Sequence, residues 1–340
     1  STTTGKNPLK RSAMRGILAS SNKACENKGM RYKMPCKKNR FSRSTALILG
    51  LLLSLLSFAV HADVDQGSDR AVFWSIQKNG LPAGYLLGTI HSEDPRVLDF
   101  TEDFLEKLRA NKVFAMELVP DLHMLERLGK YMYYPPGKSL ESVIGEERYR
   151  ALESALSSYQ VSEEFLSRIK PWGAMMTLST PPPKTGFFMD LSLSLRASGS
   201  GLEVVGLESL EQQLSFLENM PMPMQLSLLD QAIAESGQVA QVHEQMVNAY
   251  LENDLETLQT LSNEQLQAVG RSASDYFTEA GIHARNHRMA NSLLLQLENK
   301  RVFTAVGALH LPGEEGLLNI LRQHGFVLSP EEMPFPVSQP

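Results

Sequence analysis

The pattern that decides the fold occurs twice, first as Tyr85-Leu86-Leu87-Gly88-Thr89-Ile90-His91 and again as Phe303-Thr304-Ala305-Val306-Gly307-Ala308-Leu309-His310. Each copy is a short apolar run, then a glycine, two small or apolar residues and a histidine. Apolar runs of this length, bounded by turn-forming residues, indicate buried β-strands. A glycine at the end of such a strand permits a close backbone approach that a side chain would prevent. The sequence therefore predicts two buried strands, each followed by a histidine.

The surroundings of the two histidines are also alike. After each comes a short loop with a proline and acidic residues, at 92–96 and 311–315, and then an amphipathic helix. The chain thus repeats a strand–Gly-x-x-His–loop–helix unit, with the second histidine 219 residues after the first. Open α/β sheets bind ligands at the carboxyl ends of their strands. We therefore expect His91 and His310 to meet at one site.

Residues 1–62 have the features of a secretory signal rather than of a folded domain. Basic residues precede the apolar stretch 45–60, and Val60-His61-Ala62 has the small-residue pattern of a cleavage site. A basic region, a short apolar core and a cleavage site with small residues are typical of a cleavable signal peptide. We predict export to the periplasm, or secretion, with no stable membrane span after cleavage. An inner-membrane anchor formed by 45–60 is the alternative.

This segment is long for a signal, and translation beginning at Met30 or Met34 would give it an ordinary length. Both cysteines, Cys25 and Cys36, lie within it, so we expect neither a disulfide nor a thiolate ligand in residues 63–340.

Without its first 62 residues the chain is acidic. Residues 63–340 carry 21 of the 33 Lys and Arg and 37 of the 38 Asp and Glu, a formal net charge near −16. Such a charge repels phosphate backbones, so we expect no nucleic-acid partner. Neither a Gly-x-x-x-x-Gly-Lys-Ser/Thr loop nor a Gly-x-Ser-x-Gly elbow occurs, which disfavours nucleotide and serine-hydrolase chemistry. The sequence leaves the oligomeric state open.

The length of residues 63–340 suits a single domain. Their pattern predicts an α/β (α+β) fold: a mixed central β-sheet flanked by helices, with a large helical insertion from about residue 121 to 300. We expect Asp99-x-x-Glu102 to form a capping box and the last helix to begin at Glu314. The predicted strands are a hairpin at 72–77 and 84–87, and single strands at 113–118, 203–207, 301–306 and 326–328.

Four of these strands end in, or just before, a residue that binds metal or moves protons. These residues are His91, Glu117, Glu208 and His310. If the strands are neighbours, two imidazoles and two carboxylates converge, a donor set that suits Mn²⁺, Co²⁺, Fe²⁺ or Zn²⁺. Such an ion polarises a carbonyl and lowers the pKa of bound water, leaving a carboxylate as general base. The alternatives are an edge salt bridge for Glu117 and a helix cap for Glu208.

Other candidates have weaker support. His243-Glu244 begins like the helix signature of zinc peptidases, but Val247 stands where the second histidine is needed. His283 and His287 share a helix face that reads as solvated. Asp190 reads as a helix-end or buried hydrogen-bonding group. We expect none of these to be ligands.

The ordered set of motifs resembles the TraB/GumN (pheromone-shutdown) family, which includes the animal TIKI proteases. The resemblance extends from about residue 71 to 330. The residues that carry it are Gly88-Thr89-Ile90-His91, Glu117, Val205-Gly206-Leu207-Glu208 with Gln212, Arg285-Asn286 with Met289, and 306–314.

The resemblance implies a divalent-metal-dependent, peptidase-like protein. His91, Glu117 and His310 become metal ligands, with Mn²⁺ or Co²⁺ the favoured ion and Zn²⁺ or Fe²⁺ still open. Arg285 and Asn286 become residues that hold a substrate carbonyl or an oxyanion.

Together these observations favour a periplasmic metallohydrolase, a peptidase acting on a peptide or polypeptide. Metal-activated water would attack the carbonyl, and Glu117 or Glu208 would accept the proton. A non-catalytic protein of the same fold that binds a peptide or other ligand is the alternative. A scaffold with purely structural histidines is a third possibility.

Overall fold

The structure is a computed structural model that describes residues 70–336. The predicted signal, the alternative anchor at 45–60 and both cysteines lie outside these residues. Within 70–336, no helix combines the length and the apolar character that crossing a membrane requires.

A single mixed β-sheet organises the described part of the chain, as the sequence predicted. The strand order is β4-β3-β5-β2-β1-β6. Strands β4, β3, β5 and β2 are mutually parallel, while β1 runs antiparallel to both β2 and β6. The strands are β1 (Phe73–Lys78), β2 (Leu81–Thr89), β3 (Val113–Met116), β4 (Glu203–Gly206), β5 (Val302–Gly307) and β6 (Phe326–Pro330).

Aromatic residues fix the register of the central strands. Tyr85 of β2 lies opposite Phe303 of β5, which in turn lies opposite Phe114 of β3. The ring centroids of each pair are 6.0 Å apart. Because side chains alternate between the faces of a sheet, a one-residue slip would move all three rings to the other face. The turn between β1 and β2 has positive φ angles at Asn79 and Gly80, as a tight hairpin requires.

Helices pack around the sheet and also form a second core. The first core joins the sheet to α1, α7, α10, α11, α13 and α14 as numbered below. The second lies mainly among α2–α6, α8, α9 and α12. The helices are α1 (Glu102–Arg109), α2 (Leu122–Met132), α3 (Leu140–Ile144), α4 (Glu146–Ala155), α5 (Glu163–Arg168), α6 (Pro171–Leu178), α7 (Met189–Gly199), α8 (Leu210–Glu218), α9 (Met222–Glu235), α10 (Val239–Leu251), α11 (Leu255–Val269), α12 (Arg271–Tyr276), α13 (Ala284–Leu297) and α14 (Leu317–Gln323), with a π-helical segment, Phe277–His283, joining α12 to α13.

Two helix starts differ from the sequence prediction. Thr101, not an Asp99–Glu102 box, caps α1, because its hydroxyl immediately precedes the helix and accepts from the Phe104 N–H. Helix α14 begins at Leu317 rather than at Glu314. The loop before it folds tightly, since a Cβ on Gly316 would lie 2.2 Å from the Pro312 carbonyl oxygen.

Candidate functional site

The parallel strands bring four predicted residues to one edge of the sheet. Along the order β4-β3-β5-β2, the residues that follow the strand ends are Glu208, Glu117, His310 and His91. All four are buried. The backbone ladder continues past β3 and β4, where the Glu208 N–H donates to the Glu117 carbonyl at 2.9 Å. The four strands are neighbours in the sheet, which is the condition that the sequence analysis left open.

The two Gly-x-x-His segments touch directly. Gly88 of β2 pairs with Val306 of β5, and Thr89 pairs with Gly307. A Cβ on Gly88 would lie 2.8 Å from Ala308 Cα, closer than real Cβ atoms come. The first glycine is therefore required by the close approach of the second segment. His91, Thr89 and Leu309 line a pocket with about 350 Å³ of empty space, solvent included, and Met246 of α10 lines it too.

A buried ion-pair network holds the two glutamates. Helix α13 places Arg285 beneath the strand ends, with its side chain fully buried. Its guanidinium donates to Glu117 Oε2 at 2.6 Å and to Glu208 Oε2 at 2.8 Å. Arg288, one turn later, donates to Glu208 Oε1 at 3.2 Å. Two guanidinium groups and two carboxylates balance in charge, which makes their burial tolerable.

The other oxygen of Glu117 has a different environment. Glu117 Oε1 accepts from the Gly307 N–H at 2.7 Å and lies 3.9 Å from His310 Nε2. Burial raises the pKa of Glu117 to about 7, opposed by the charge of Arg285 and by the Gly307 N–H. Burial alone would lower the pKa of Arg285, but Glu208 and Glu117 raise it above its usual value.

His310 is held in one tautomer. Asn286 donates its amide N–H to the Glu315 carbonyl at 2.7 Å, which turns its oxygen toward His310 Nδ1 at 2.5 Å. His310 therefore donates from Nδ1 and keeps a lone pair on Nε2. Burial, aided by the charge of Arg285, lowers the pKa of His310 well below its usual range. The buried Nε2 has no hydrogen-bond partner among the described residues.

His91 also has a side-chain oxygen near Nδ1, but at a distance too long for a hydrogen bond. Its Nδ1 faces Asp190 Oδ2 at 3.8 Å. Thr89 donates to Asp190 Oδ1 at 2.6 Å, which orients the carboxylate. The Phe188 ring stacks on the imidazole with centroids 3.9 Å apart. Both ring nitrogens of His91, and Asp190 Oδ2, lack a hydrogen-bond partner within the part of the chain that the structure describes.

Glu93 holds the loop that precedes Phe188 by hydrogen bonds to its backbone. This carboxylate accepts from the backbone N–H groups of Lys184, Thr185 and Gly186. Burial raises the pKa of Glu93, but the hydrogen bonds from Thr185 and from the three N–H groups outweigh burial and leave it lowered.

Two residues lie at this site without having been predicted there. Asp190 is a buried hydrogen-bonding group in the first turn of α7, as the sequence predicted, and it is also the carboxylate that faces His91. His243, set aside for lack of a second histidine, lies with Nε2 3.1 Å from Ser92 Oγ. Burial and the proximity of His91 lower the pKa of His243 to about 4. Its sequence signals are the incomplete His243-Glu244 motif and a position within a helix, and neither can reveal a contact 151 residues away.

Other expectations have clear outcomes. Glu208 is not a helix cap, because Ser209 caps α8 in a capping box with Gln212. Arg285 and Asn286 use their polar groups on protein partners, and Arg285 Nη1 alone remains without one among the described residues. His287 pairs at the surface with Glu315, as its solvated face predicted.

The site offers the donor types that a divalent cation needs. Neutral imidazole nitrogens and carboxylate oxygens bind Mn²⁺, Co²⁺, Fe²⁺ and Zn²⁺, and buried polar atoms without partners are costly unless a ligand satisfies them. The donors form two pairs, His91–Asp190 and Glu117–His310. Residues 70–336 contain no group of three or more His, Cys, Asp or Glu arranged to hold a metal ion. The fit is thus one of donor chemistry, not of a ready-made cluster.

Comparison with known proteins identifies the family. The sequence profile of the TraB/PrgY/gumN family matches residues 72–330. The chain belongs to this family. No solved structure matches the chain at a significant level.

Relatives in the TraB/PrgY/gumN family carry two kinds of name. "Metalloprotease TIKI1" of Danio rerio is 24% identical over 313 residues, which cover 77% of this chain and 63% of that protein. "Metalloprotease TIKI2" of Xenopus tropicalis is 24% identical over 310 residues, 76% of this chain and 59% of that protein. The chain thus spans less than two thirds of these relatives. "Uncharacterized protein YbaP" of Escherichia coli (strain K12) is 26% identical over 248 residues, 70% of this chain and 87% of that protein.

Proposed function

We propose that the protein is a divalent-metal-dependent hydrolase that cleaves peptide bonds in a peptide or polypeptide. One observation carries the proposal. His91 and His310 follow adjacent parallel strands, each turns Nδ1 toward a side-chain oxygen, and each has a buried Nε2 without a partner among the described residues. A carboxylate or carbonyl on one ring nitrogen commonly orients a histidine whose other nitrogen binds metal. The metalloprotease names of the TIKI relatives support the same reading.

The residues that would hold the ion are His91 and His310 through Nε2, with Glu117 as the carboxylate ligand. Mn²⁺ or Co²⁺ is the ion we propose. When bound, such a cation supplies a Lewis acid for a peptide carbonyl and lowers the pKa of a water molecule. Asp190 and Asn286 would orient the two imidazoles from behind.

Side chains of the protein would accept the proton of the attacking water and pass it on. In peptide hydrolysis the water oxygen bonds to the carbonyl carbon, the C–N bond breaks, and a proton passes to the leaving nitrogen. Glu117 suits this role better than Glu208, because both Glu208 oxygens already accept from arginines. Within residues 70–336, the Gly307 N–H is the one hydrogen-bond donor to Glu117 Oε1. Arg285 would position both carboxylates rather than contact the substrate.

Metal analysis and peptide cleavage test the proposal together. The chain is purified without chelator as wild type, His91→Ala, His310→Ala and His324→Ala. His324 is an exposed histidine outside the site and serves as the matched control. We expect the wild type and His324→Ala to retain the same divalent metal and to cleave members of a peptide library. The other two variants should lose both properties; equal metal content in all four proteins would reject the shared site.

One observation favours the non-catalytic alternative. Glu117 already accepts from Arg285, and no cluster of three ligands is preformed within residues 70–336. A peptide-binding protein of this fold would show peptide-dependent thermal stabilisation and no turnover with any metal. Glu117→Gln distinguishes the two: a catalyst loses turnover and keeps peptide affinity, whereas a binding protein has no turnover to lose.

We also propose that the chain is exported through its first 62 residues. The basic region, apolar stretch and small-residue cleavage site before Asp63 support this. Amino-terminal sequencing of protein from a periplasmic fraction should give Asp63 as the first residue. Membrane-bound protein that keeps residues 45–60 would favour the anchor instead.

A further inference from the structure

A larger cavity lies beside the site, on the same helices. It has about 630 Å³ of empty space, solvent at its mouth included, and lies between α6, α9, α10 and α11. Its apolar lining includes Leu178, Leu228, Val242 and Leu266. Ligand-binding pockets commonly have this mostly apolar lining.

Helix α10 connects the cavity to the candidate site. Val239 and Val242 line the cavity, while His243 and Met246 on the same helix lie at Ser92 and His91. At about 1.5 Å of rise per residue, Val239 and His243 are about 6 Å apart along the axis, and Val239 and Met246 about 10 Å. An extended peptide covers these distances in about two or three residues.

A second connection runs through α6. Leu178 and Ser179 at its end line the cavity. The segment that follows leads directly to Phe188, whose ring stacks on His91. The cavity is therefore linked to the His91 pocket through two separate parts of the chain.

We propose that this cavity is a specificity pocket for a large aliphatic side chain of an extended peptide whose scissile bond lies at His91. The inference rests on the proposed function and adds the substrate preference. The buried apolar floor suits a leucine or methionine side chain.

The polar lining favours a peptide over an acyl chain. Gln238 and Gln265 contribute side-chain amides, each with a donor and an acceptor group. Gln231 already donates to Glu235 and to the Gln265 carbonyl, so it contributes its side-chain oxygen as an acceptor. Peptide backbone groups need such partners, whereas a hydrocarbon chain does not. Glu235 is the one charged residue among the described residues of the lining, so an acidic peptide is disfavoured.

Filling the cavity tests the inference. Ala232 of α9 lines the cavity, whereas Ala234 on the same helix is exposed. We compare the wild type, Ala232→Trp and Ala234→Trp, with Ala232→Leu as the smaller filling if Ala232→Trp does not fold. Binding of an octapeptide with a central leucine, and of its all-alanine counterpart, is measured by calorimetry with chelator present so that no turnover occurs. Circular dichroism checks that each variant is folded.

The wild type and Ala234→Trp should bind the leucine peptide about tenfold or more tightly than the alanine peptide, because a buried leucine side chain contributes at least that much. Ala232→Trp should lose this preference. An unchanged preference in Ala232→Trp, or none in the wild type, overturns the inference. So does a cavity that takes decanoate but does not distinguish the two peptides.

The outcome separates this inference from the proposed function. If the protein cleaves a peptide library without preferring aliphatic residues near the cleaved bond, the proposed hydrolase function is supported and the proposed specificity pocket is rejected. A leucine preference in binding, with no cleavage under any metal, would keep the pocket and remove the hydrolase.

Discussion

At the scale of single residues, Gly88 is the tightest point between the two Gly-x-x-His segments. Its amide donates to the Val72 carbonyl at 2.6 Å, and its own carbonyl accepts from the Tyr250 hydroxyl at 2.7 Å. The backbone at Gly88 is thus held by hydrogen bonds on both sides, and Ala308 occupies the space that a side chain at this position would need. Neither segment can retreat without breaking a buried hydrogen bond.

Gly88→Ala should therefore destabilise the protein. The new methyl group would lie 2.8 Å from Ala308 Cα, and relieving that overlap should cost about 1–3 kcal/mol. Urea denaturation measures the loss. Gly129→Ala is the control, because a Cβ there meets only Tyr133 at 3.9 Å and a helix favours alanine. Equal stability of the two variants would contradict the close approach.

Arg285 carries a buried positive charge that compensates the negative charges of two buried carboxylates, Glu117 and Glu208. Arg285→Met leaves Glu117 and Glu208 buried without their main partner, and we expect a loss of about 3–5 kcal/mol. Arg288→Met, on the same helix and bonded to the same Glu208, should cost about 1 kcal/mol or less because Arg288 is partly exposed.

Chemical denaturation compares the two arginine variants. Adding Glu117→Gln and Glu208→Gln to Arg285→Met should recover part of the stability, since neutral amides are cheaper to bury than charges. The role assigned to Arg285 fails if Arg285→Met costs no more than Arg288→Met.

At the scale of elements, α11 depends on its amino-terminal cap. Asp254 accepts from the Thr257 N–H at 3.0 Å and from the Thr257 hydroxyl at 2.6 Å. The hydrogen bond from the Thr257 side chain, followed by that from its backbone, lowers the pKa of Asp254 from 3.8. A carboxyl whose folded-state pKa is lowered stabilises the protein fully above its unfolded pKa, and this contribution is lost progressively as the pH falls through the folded-state pKa.

Asp254→Ala should cost about 1 kcal/mol at about pH 6. The difference from wild type should shrink at about pH 3, where the wild-type carboxyl also takes up a proton. Denaturation at both pH values measures this. Asp254→Asn keeps a capping oxygen that does not titrate. The difference in free energy of unfolding between Asp254→Asn and Asp254→Ala should therefore not depend on pH. A constant wild-type advantage across this range would show that the cap does not act through its charge.

The elements that a sequence reveals are those with strong local signals. Apolar runs ending at Gly88 and Gly307 predicted two buried strands, and the strand before Glu117 was equally clear. The rule that open sheets bind ligands at the carboxyl ends of their strands indicated a shared edge, but which strands are neighbours came only from the structure. Helix starts were less certain, because Asp99 and Thr101 both offer a capping oxygen and only the local backbone decides between them.

The site was predictable where a residue directly follows a strand, and not where it comes from a helix. Asp190 lies in the first turn of α7 and His243 lies inside α10, and neither position has a local pattern that points toward His91. Arg285 and Asn286 came from the family resemblance alone. Their contacts with Glu117, Glu208 and His310 span 24 to 168 residues of sequence, a separation that periodicity does not report.

At the scale of the whole molecule, the core around the sheet and the second, helical core support different parts of the site. The core around the sheet fixes the strand ends that carry His91, Glu117, Glu208 and His310. The second core is almost entirely helical and contributes the α6 and α9 walls of the larger cavity. Substitutions in the second core can therefore change the cavity while leaving the strand ends in place.

The net charge of residues 63–340 should steer the ligands of the protein. Residues 63–340 carry a formal net charge near −16, so a cationic peptide is attracted before contact and an anionic one is repelled. Because the Debye length falls from about 30 Å at 0.01 M salt to about 10 Å at 0.1 M, this attraction weakens steeply with salt. We expect the association rate of a lysine-rich peptide to fall about tenfold or more over that range, and that of a neutral peptide to stay constant. Stopped-flow fluorescence with peptides of equal length measures both rates. A glutamate-rich peptide should show the reverse trend, and equal rates for all three at low salt would mean that the charge lies away from the binding face.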